Sequence, residues 1–325
     1  MMIDQVMPGI YRIEIPLPNN PLKATNSYLI LGERNLLVDT GFNTEVSREA
    51  MDQGLREMNI SMENTDLFIT HLHADHSGLV KHLAGPGTTV WMSETDGRVV
   101  AASRESPHWQ MFNGFLTVSG LVDSGVEKDV GKHPGFRFAS EIYDGLTLVQ
   151  EGCEIRVGGY SFRCVATPGH TPGHMCLYDE GNKLLLSGDH ILGKITPNIT
   201  AWNFNQDVLG QYLQSLEKIA GLEIDTVLPG HRYVITDCRG RIEELRRHHR
   251  ARLDNVMDIV GAETLNTTQV ASRMHWDLSY KQWEDFPWGQ KLFAAGEAMS
   301  HLYHLTVTGD LDMEYRDDIA WFNRK

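Results

Sequence analysis

The alternation Ile10-Tyr11-Arg12-Ile13-Glu14-Ile15 puts apolar groups on one side of an extended chain, and Pro16 and Pro18 end it, which predicts a half-buried strand. Residues 26–31 and 35–39 read as two further strands, with Gly32 and Glu33 in the turn between them. From 45 to 58 the spacing becomes that of an amphipathic helix, and Asp66-Leu67-Phe68-Ile69-Thr70 is again a run of strand length that ends at a cluster of histidines. A short helix over 78–83 and a strand over 88–92 follow. Between 101 and 140 the pattern loosens, with Trp109, Met111, Phe112, Phe115, Leu116 and Leu121 standing among glycines and polar residues. This insertion reads either as a helical lid or as a surface excursion packed on its own aromatics. Strand patterns return at 146–149, 153–157, 162–166, 175–178 and 183–186, then a helix at 206–219 and a short strand at 226–228. Two successive blocks of short strands, each followed by helix, predict an α+β fold with two sheets and helices outside them. Beyond Cys238 the character changes: 241–260, 267–274 and 289–305 have helical spacing, and 310–322 reads as a hairpin. A catalytic domain over 1–238 and a smaller C-terminal helical domain over 239–325, in the helix-helix-helix-hairpin order of a winged helix, are expected.

Composition narrows the partners. Apolar residues make up 41% of the 325 and charged residues 22%, enough for a sizeable core. Acidic side chains outnumber basic ones 43 to 29, and from Arg241 to Lys325 the count is 14 acidic to 11 basic. Nucleic acid is therefore a disfavoured partner, because phosphate contacts need clustered Lys and Arg. The C-terminal part is expected to pack on the catalytic domain or to form a homodimer. No stretch reaches the ~20 apolar residues of a membrane span. The N-terminus carries Asp4 and lacks the layout of a signal peptide, and the four cysteines form no CxxC pair. A cytoplasmic location without membrane contact is the expectation.

The chemistry concentrates at His71-Leu72-His73-Ala74-Asp75-His76. In an extended stretch, side chains at i and i+2 point the same way, so His71 and His73 can grip one ion, and a turn toward the following helix would re-aim Asp75 and His76 as a second pair. Three distant stretches share one plan, an apolar run closed by a tight turn and a ligand-type residue: Ala166-Thr167-Pro168-Gly169-His170, Leu184-Leu185-Leu186-Ser187-Gly188-Asp189 and Val227-Leu228-Pro229-Gly230-His231. Rigid strand ends hold such groups better than free loops.

In this order the stretches resemble the metallo-β-lactamase superfamily over roughly the first 235 residues. The resemblance implies a four-layer αββα sandwich with metals at one sheet edge. It implies His71, His73 and His170 on a first ion, Asp75, His76 and His231 on a second, and Asp189 bridging them. Flavodiiron members carry Glu where His73 stands, so oxygen or nitric oxide reduction is not implied. Antibiotic-hydrolysing members usually lack the bridging carboxylate, so β-lactam hydrolysis is not favoured. The stretch Pro168-Gly169-His170-Thr171-Pro172-Gly173-His174 closely resembles the motif of glyoxalase II-like hydrolases. Two divalent ions, with zinc suited to mixed His and carboxylate donors and iron or manganese compatible, are the implied cofactors.

Other residues take supporting roles. Asp39, in Val38-Asp39-Thr40-Gly41, is expected to orient a ligand histidine from behind, against the alternative of a turn-making aspartate. His174 and His190 are expected behind the ligands or in a structural role. Lys194 and Tyr233 are candidates to touch substrate, against readings as a solvated lysine and a packed tyrosine. Asp75 is expected to orient the nucleophile or shuttle its proton as well as to bind metal. His248 and His249 read as solvated, His301 and His304 as an incomplete metal pair, and Trp276, Trp283 and Trp288 as a domain-packing surface. The expected function is metal-dependent hydrolysis of a small ester-like substrate: a thioester, a lactone or a related acyl compound. The alternatives are a phosphodiesterase or endoribonuclease of the same superfamily, a mononuclear iron thiol dioxygenase using His71, His170 and Asp189, and a regulatory binding module.

Overall fold

The structure, a computed structural model, describes residues 3–18, 20–102, 107–122, 131, 133–141, 143–277, 280 and 282–325, with helix alone for 107–110. The 103–106, 123–130 and 132 parts of the insertion lie outside the described residues. The chain forms two compact units: Met1–Ser103 with Pro134–Pro197 and Ser215–Ile242, and Arg104–His133 with Asn198–Gln214 and Glu243–Lys325.

The first unit holds two sheets. Seven strands lie side by side in chain order: β1 (Ile3–Met7), β2 (Ile10–Pro16), β3 (Ala24–Ile30), β4 (Asn35–Val38), β5 (Thr65–Ile69), β6 (Val90–Ser93) and β7 (Leu146–Val149). The strands β1 to β4 are antiparallel and β4 to β7 parallel. The switch follows the connections, since a short turn joins β3 to β4 while α1 (Glu45–Glu57) carries the crossover from β4 to β5. The second sheet has the order β12 (Thr226–Pro229), β11 (Leu184–Gly188), β10 (Met175–Asp179), β9 (Tyr160–Ala166), β8 (Glu154–Val157). Its only parallel pair is β11 with β12, the pair separated in sequence by α7 (Val208–Ala220).

Period-two alternation builds the layers. Tyr28, Ile30, Val38 and Phe68 point from the first sheet to Phe162, Leu177, Leu186 and Leu228 of the second. Their neighbours Leu29, Leu37, Leu67 and Ile69 point the other way, onto Met51 and Leu55 of α1 and onto Leu79 and Leu83 around α3 (Val80–Leu83). On the outer face of the second sheet Val165, Cys176, Leu185 and Val227 are buried, as are Leu216 and Ile219 of α7. This is the expected αββα order. Each fully buried Leu or Ile contributes roughly 2 kcal/mol. Short helices α2 (Ala74–Ser77), α4 (Glu94–Ala101) and α6 (Pro134–Arg137) fill the connections.

The second unit gathers α5 (Pro107–Val118), most of α8 (Cys238–Val260), α9 (Thr267–Arg273), α10 (Trp288–Thr308) and a sheet of β13 (Leu265–Asn266), β15 (Ile319–Arg324) and β14 (Leu311–Arg316). Phe112, Phe115 and Leu116 of α5 share one core with Val256, Val270, Met299, Leu302 and Phe322. The insertion is thus no surface excursion packed on itself: its helix α5 is core of this unit. Trp276, Trp283 and Trp288 pack on that same core. His249 is fully buried, not solvated, with Nδ1 3.2 Å from Nε2 of His301, while His304 pairs separately with Asp207 at 2.8 Å. The expected partnership of His301 with His304 is therefore replaced by two separate pairs. Among the described residues no helix is long and apolar enough to cross a membrane.

Candidate metal centre

The seven sequence-predicted ligand residues meet at one edge of the two sheets. His71 and His73 follow the end of β5 in a bend, and His73 caps α2, whose first turn carries Asp75 and His76. His170 follows β9, Asp189 follows β11 and His231 follows β12. Three groups have their donor atoms mutually within 4.8 Å: His71, His73 and His170; His71, His76 and Asp189; Asp75, His76 and His231. Asp189 stands between them, with Oδ1 3.5 Å from His76 Nε2 and Oδ2 3.6 Å and 3.5 Å from Nε2 of His170 and His231. Asp75 Oδ2 lies 3.5 Å from His231 Nε2.

The hydrogen bonds behind the imidazoles decide what their front nitrogens offer. Asp39 is buried with φ +60°, a left-handed conformation that Asp tolerates better than most residues. It accepts from Thr70 N–H and Thr70 Oγ1–H, both at 2.8 Å, and faces His76 Nδ1 at 2.8 Å. With its proton given to Asp39, the Thr70 hydroxyl receives His71 Nδ1–H at 2.9 Å. His231 Nδ1–H donates to the Ala24 carbonyl at 2.7 Å. Each ring thus spends a proton rearward and presents Nε2 to the centre.

The fronts then face one another. Nε2 of His76 and of His231 are 3.3 Å apart, and His71 Nε2 is 3.1 Å from His73 Nδ1. Asp189 Oδ1 is buried with no hydrogen-bond partner among the described residues. Convergent lone pairs and a buried carboxylate oxygen without a donor form a cradle that calls for positive charge. Burial lowers the His231 pKa, but Asp189 and Asp75 outweigh it and push it up to about 9. The same contest, won by Asp189, Asp39 and Asp75, holds His76 well above its ordinary value. Around the other group, burial and the neighbouring imidazoles hold His71 well below its ordinary value and His73 down to about 3. Those rings stay neutral, as metal ligands must. For Asp75, burial raises the pKa, yet His76 and His231 bring it down to about 2. The donor set fits divalent cations.

The sheets are laced together at this edge. Asn26 Nδ2 donates to the carbonyls of Pro229 and Arg232 at 2.9 Å and 3.0 Å, and the Tyr28 hydroxyl donates to Pro229 O at 2.8 Å. Strand β3 of one sheet thereby fixes the His231 turn of the other. Gly230 is required by space, since a Cβ there would lie 2.6 Å from Asp189 Oδ1.

Comparison with known proteins places this architecture. The sequence profile described as the Metallo-beta-lactamase superfamily matches residues 20–231. The chain belongs to the metallo-beta-lactamase superfamily. It is 26% identical over 98% of its length, and 91% of the relative's, to a beta-lactamase-like protein 2 homolog of Caenorhabditis elegans. It is 25% identical to the atrochrysone carboxyl ACP thioesterase of Emericella nidulans, over 82% of this chain and 71% of that one. The crystal structure of a metallo-beta-lactamase family protein from Thermus thermophilus superposes with a TM-score of 0.82 at 26% identity, covering 99% of this chain and 100% of that one.

Around this superfamily centre, the remaining predicted residues take distinct places. His174 Nε2 accepts the Asp189 backbone N–H at 3.1 Å and its Nδ1 meets Thr167 Oγ1 at 2.8 Å, so both ring nitrogens are engaged behind the ligands. His190 is buried, and its pKa is brought down to about 3 chiefly by burial. Lys194 is exposed at φ +70°. Tyr233 is 53% exposed, with its ring over Gly193, so it is not a packed core tyrosine.

Sequence reasoning missed Asp96. It is fully buried, and it accepts from Leu72 N–H at 2.9 Å, Gly173 N–H at 2.7 Å and Thr171 Oγ1–H at 2.6 Å. Burial lifts its pKa to about 6 against these three donors. The available signal, Ser93 three residues before Asp96, marks a helix start, and Ser93 Oγ does cap α4 at Asp96 N–H. Nothing in that pattern ties Asp96 to stretches 71–76 and 170–174.

Proposed function

We propose that this protein is a dinuclear metal-dependent hydrolase of ester-like acyl compounds, thioesters foremost, of the glyoxalase II-like kind. The observation that carries this reading is Asp189, whose carboxylate lies between the two ligand groups, Oδ2 facing His170 of one and His231 of the other and Oδ1 facing His76. His71, His73 and His170 would hold one ion, Asp75, His76 and His231 the other, with Asp189 shared. Bound there, divalent ions would lower the pKa of water toward about 7 and would polarise the carbonyl under attack. Zinc suits this donor set, with iron and manganese compatible.

The chain's own residues do the rest. Asp39 and the Ala24 carbonyl orient His76 and His231, and Thr70 orients His71. Asp75, half-buried and held as a carboxylate, accepts the proton that water gives up as it adds to the acyl carbon, and that proton then passes to the departing thiolate or alkoxide. Lys194 and Tyr233 are proposed to meet the remainder of the substrate, Lys194 taking an anionic group. The likeness to an ACP thioesterase supports an acyl thioester as substrate.

The test is elemental analysis followed by turnover of a thioester, a lactone, a phosphodiester and a β-lactam. Two divalent ions per chain with thioester or lactone hydrolysis are expected, and Asp189→Ala should abolish turnover while leaving the fold. One iron per chain, phosphodiester cleavage as the dominant activity, or full activity in metal-loaded Asp189→Ala would each overturn the reading.

A further inference from the structure

Two buried carboxylates stand behind the ligands, and they serve different parts of the centre. Asp39 reaches His76 directly and His71 through Thr70. Asp96 works through the chain instead: its oxygens hold backbone and hydroxyl groups of the two stretches that carry His73 and His170. Oδ2 takes Leu72 N–H, between His71 and His73, and also Thr171 Oγ1–H, next to His170. Oδ1 takes Gly173 N–H in the same His170 turn.

We propose that Asp96 is a positioning residue selective for the three-histidine group: it fixes the spacing of the His71-Leu72-His73 bend against the His170 turn, and so sets the affinity of that group for its ion. The inference rests on the dinuclear reading above. Three features carry it. The carboxylate spans two stretches about a hundred residues apart in sequence, adding side-chain bonds to the backbone hydrogen bond from Met175 N–H to Thr70 O, at 2.9 Å, that joins them beside it. The fit is close, since a Cβ on Gly173 would lie 2.5 Å from Asp96 N and 2.6 Å from Asp96 Oδ1, so the turn can approach only as glycine. Finally, three donors point at two oxygens, which an amide cannot satisfy: asparagine would turn its NH2 toward either Gly173 N–H or the Leu72 and Thr171 donors. The Asp75, His76 and His231 group has its own supports in Asp39, Ala24 and Asn26, none of which involves Asp96.

The experiment is a Zn2+ titration of chelator-stripped full-length protein in competition with a chromophoric chelator, resolving stepwise affinities, with melting of the stripped protein recorded alongside. In the wild type two steps are expected. Asp96→Asn should weaken one step about 10- to 100-fold and leave the other within about threefold, and Thr171→Val should weaken the same step by less. The step is assigned by background: the loss should persist in His231→Ala, which retains the three-histidine group, and vanish in His170→Ala. Unchanged steps in a folded Asp96→Asn protein overturn the inference. So does an equal loss in both backgrounds, which is what a merely structural aspartate would produce. If Asp96→Asn does not fold, Thr171→Val decides alone, and wild-type affinities there overturn the role. A wild-type chain that binds fewer than two ions overturns the dinuclear reading before any variant is compared, and the selective role of Asp96 with it.

Discussion

Asp96 is a carboxylate that the fold keeps out of water and supplies with three donors, and its pKa is still raised to about 6. The unfolded chain releases this proton near pH 4 and the folded chain near pH 6. Between those values the folded state binds the extra proton, so the stability Asp96 contributes is present below about pH 4 and is lost as pH rises to about 6, by roughly 3 kcal/mol in all. Denaturant unfolding of stripped wild-type and Asp96→Asn protein from pH 4 to 7 should therefore give a stability difference that shifts in favour of the variant as pH rises. A difference constant over that range would show that Asp96 keeps an ordinary acidity. The ligands themselves were legible in the chain because each sits where apolar periodicity stops. Asp96 was not, because its partners are two backbone N–H groups and a hydroxyl, and main-chain donors leave no trace in a sequence.

Elements position the loop that carries Lys194 as firmly as the ligands. The loop after Asp189 is held by Arg241 near the start of α8, whose Nε and Nη2 donate to the carbonyls of Leu192 and Ile195, both at 2.7 Å. Lys194 stands between those two carbonyls in a left-handed conformation. Arg241→Met removes two charge-assisted hydrogen bonds, each worth about 1 kcal/mol or more. With Lys194 as the contact for an anionic substrate, KM should rise about 5- to 30-fold with kcat within about twofold, and a neutral substrate should notice little. An equal rise in KM for both substrates would remove Lys194 from recognition. Strand and helix positions were readable because Leu29, Leu37 and Leu67 alternate with Tyr28, Val38 and Phe68 between two apolar layers. The first strand, Ile3–Met7, was missed: at the sheet edge its side chains are half-buried or exposed, and it lacks a fully apolar face.

At the scale of the whole molecule, the second unit carries a polar group in its interior that the sequence disguised as a charged surface helix. Arg252 pairs with Glu297 at 3.0 Å, Asn198 Nδ2 donates to the same carboxylate at 3.0 Å, and the guanidinium lies 4.5 Å from the Trp276 ring centre. His249 and His301 lie in the same unit, fully buried. The run of charges in 241–252 concealed this because helical spacing alone does not say which residue faces inward when both candidates are polar. Removing the cation by Arg252→Met leaves a buried carboxylate without its counter-charge and should cost about 3–5 kcal/mol. Burial already raises the Glu297 pKa, so this cost should shrink as pH falls and the carboxyl takes up a proton. Unfolding followed by tryptophan fluorescence at pH 5 and pH 8 measures both the loss and its sign.

The lacing of β3 to the His231 turn also dictates when the centre can be completed. A nascent chain whose synthesis has reached residue 200 already owns His71, His73, His170 and Asp189, but the imidazole that finishes the other half is yet to be translated. Asn26 and Tyr28, made among the first, must wait for Pro229 to arrive from the ribosome. In the dinuclear reading proposed above, completion of the centre is therefore a late event in biogenesis, and a chain that stops short of His231 leaves the Asp75 and His76 group without its third donor.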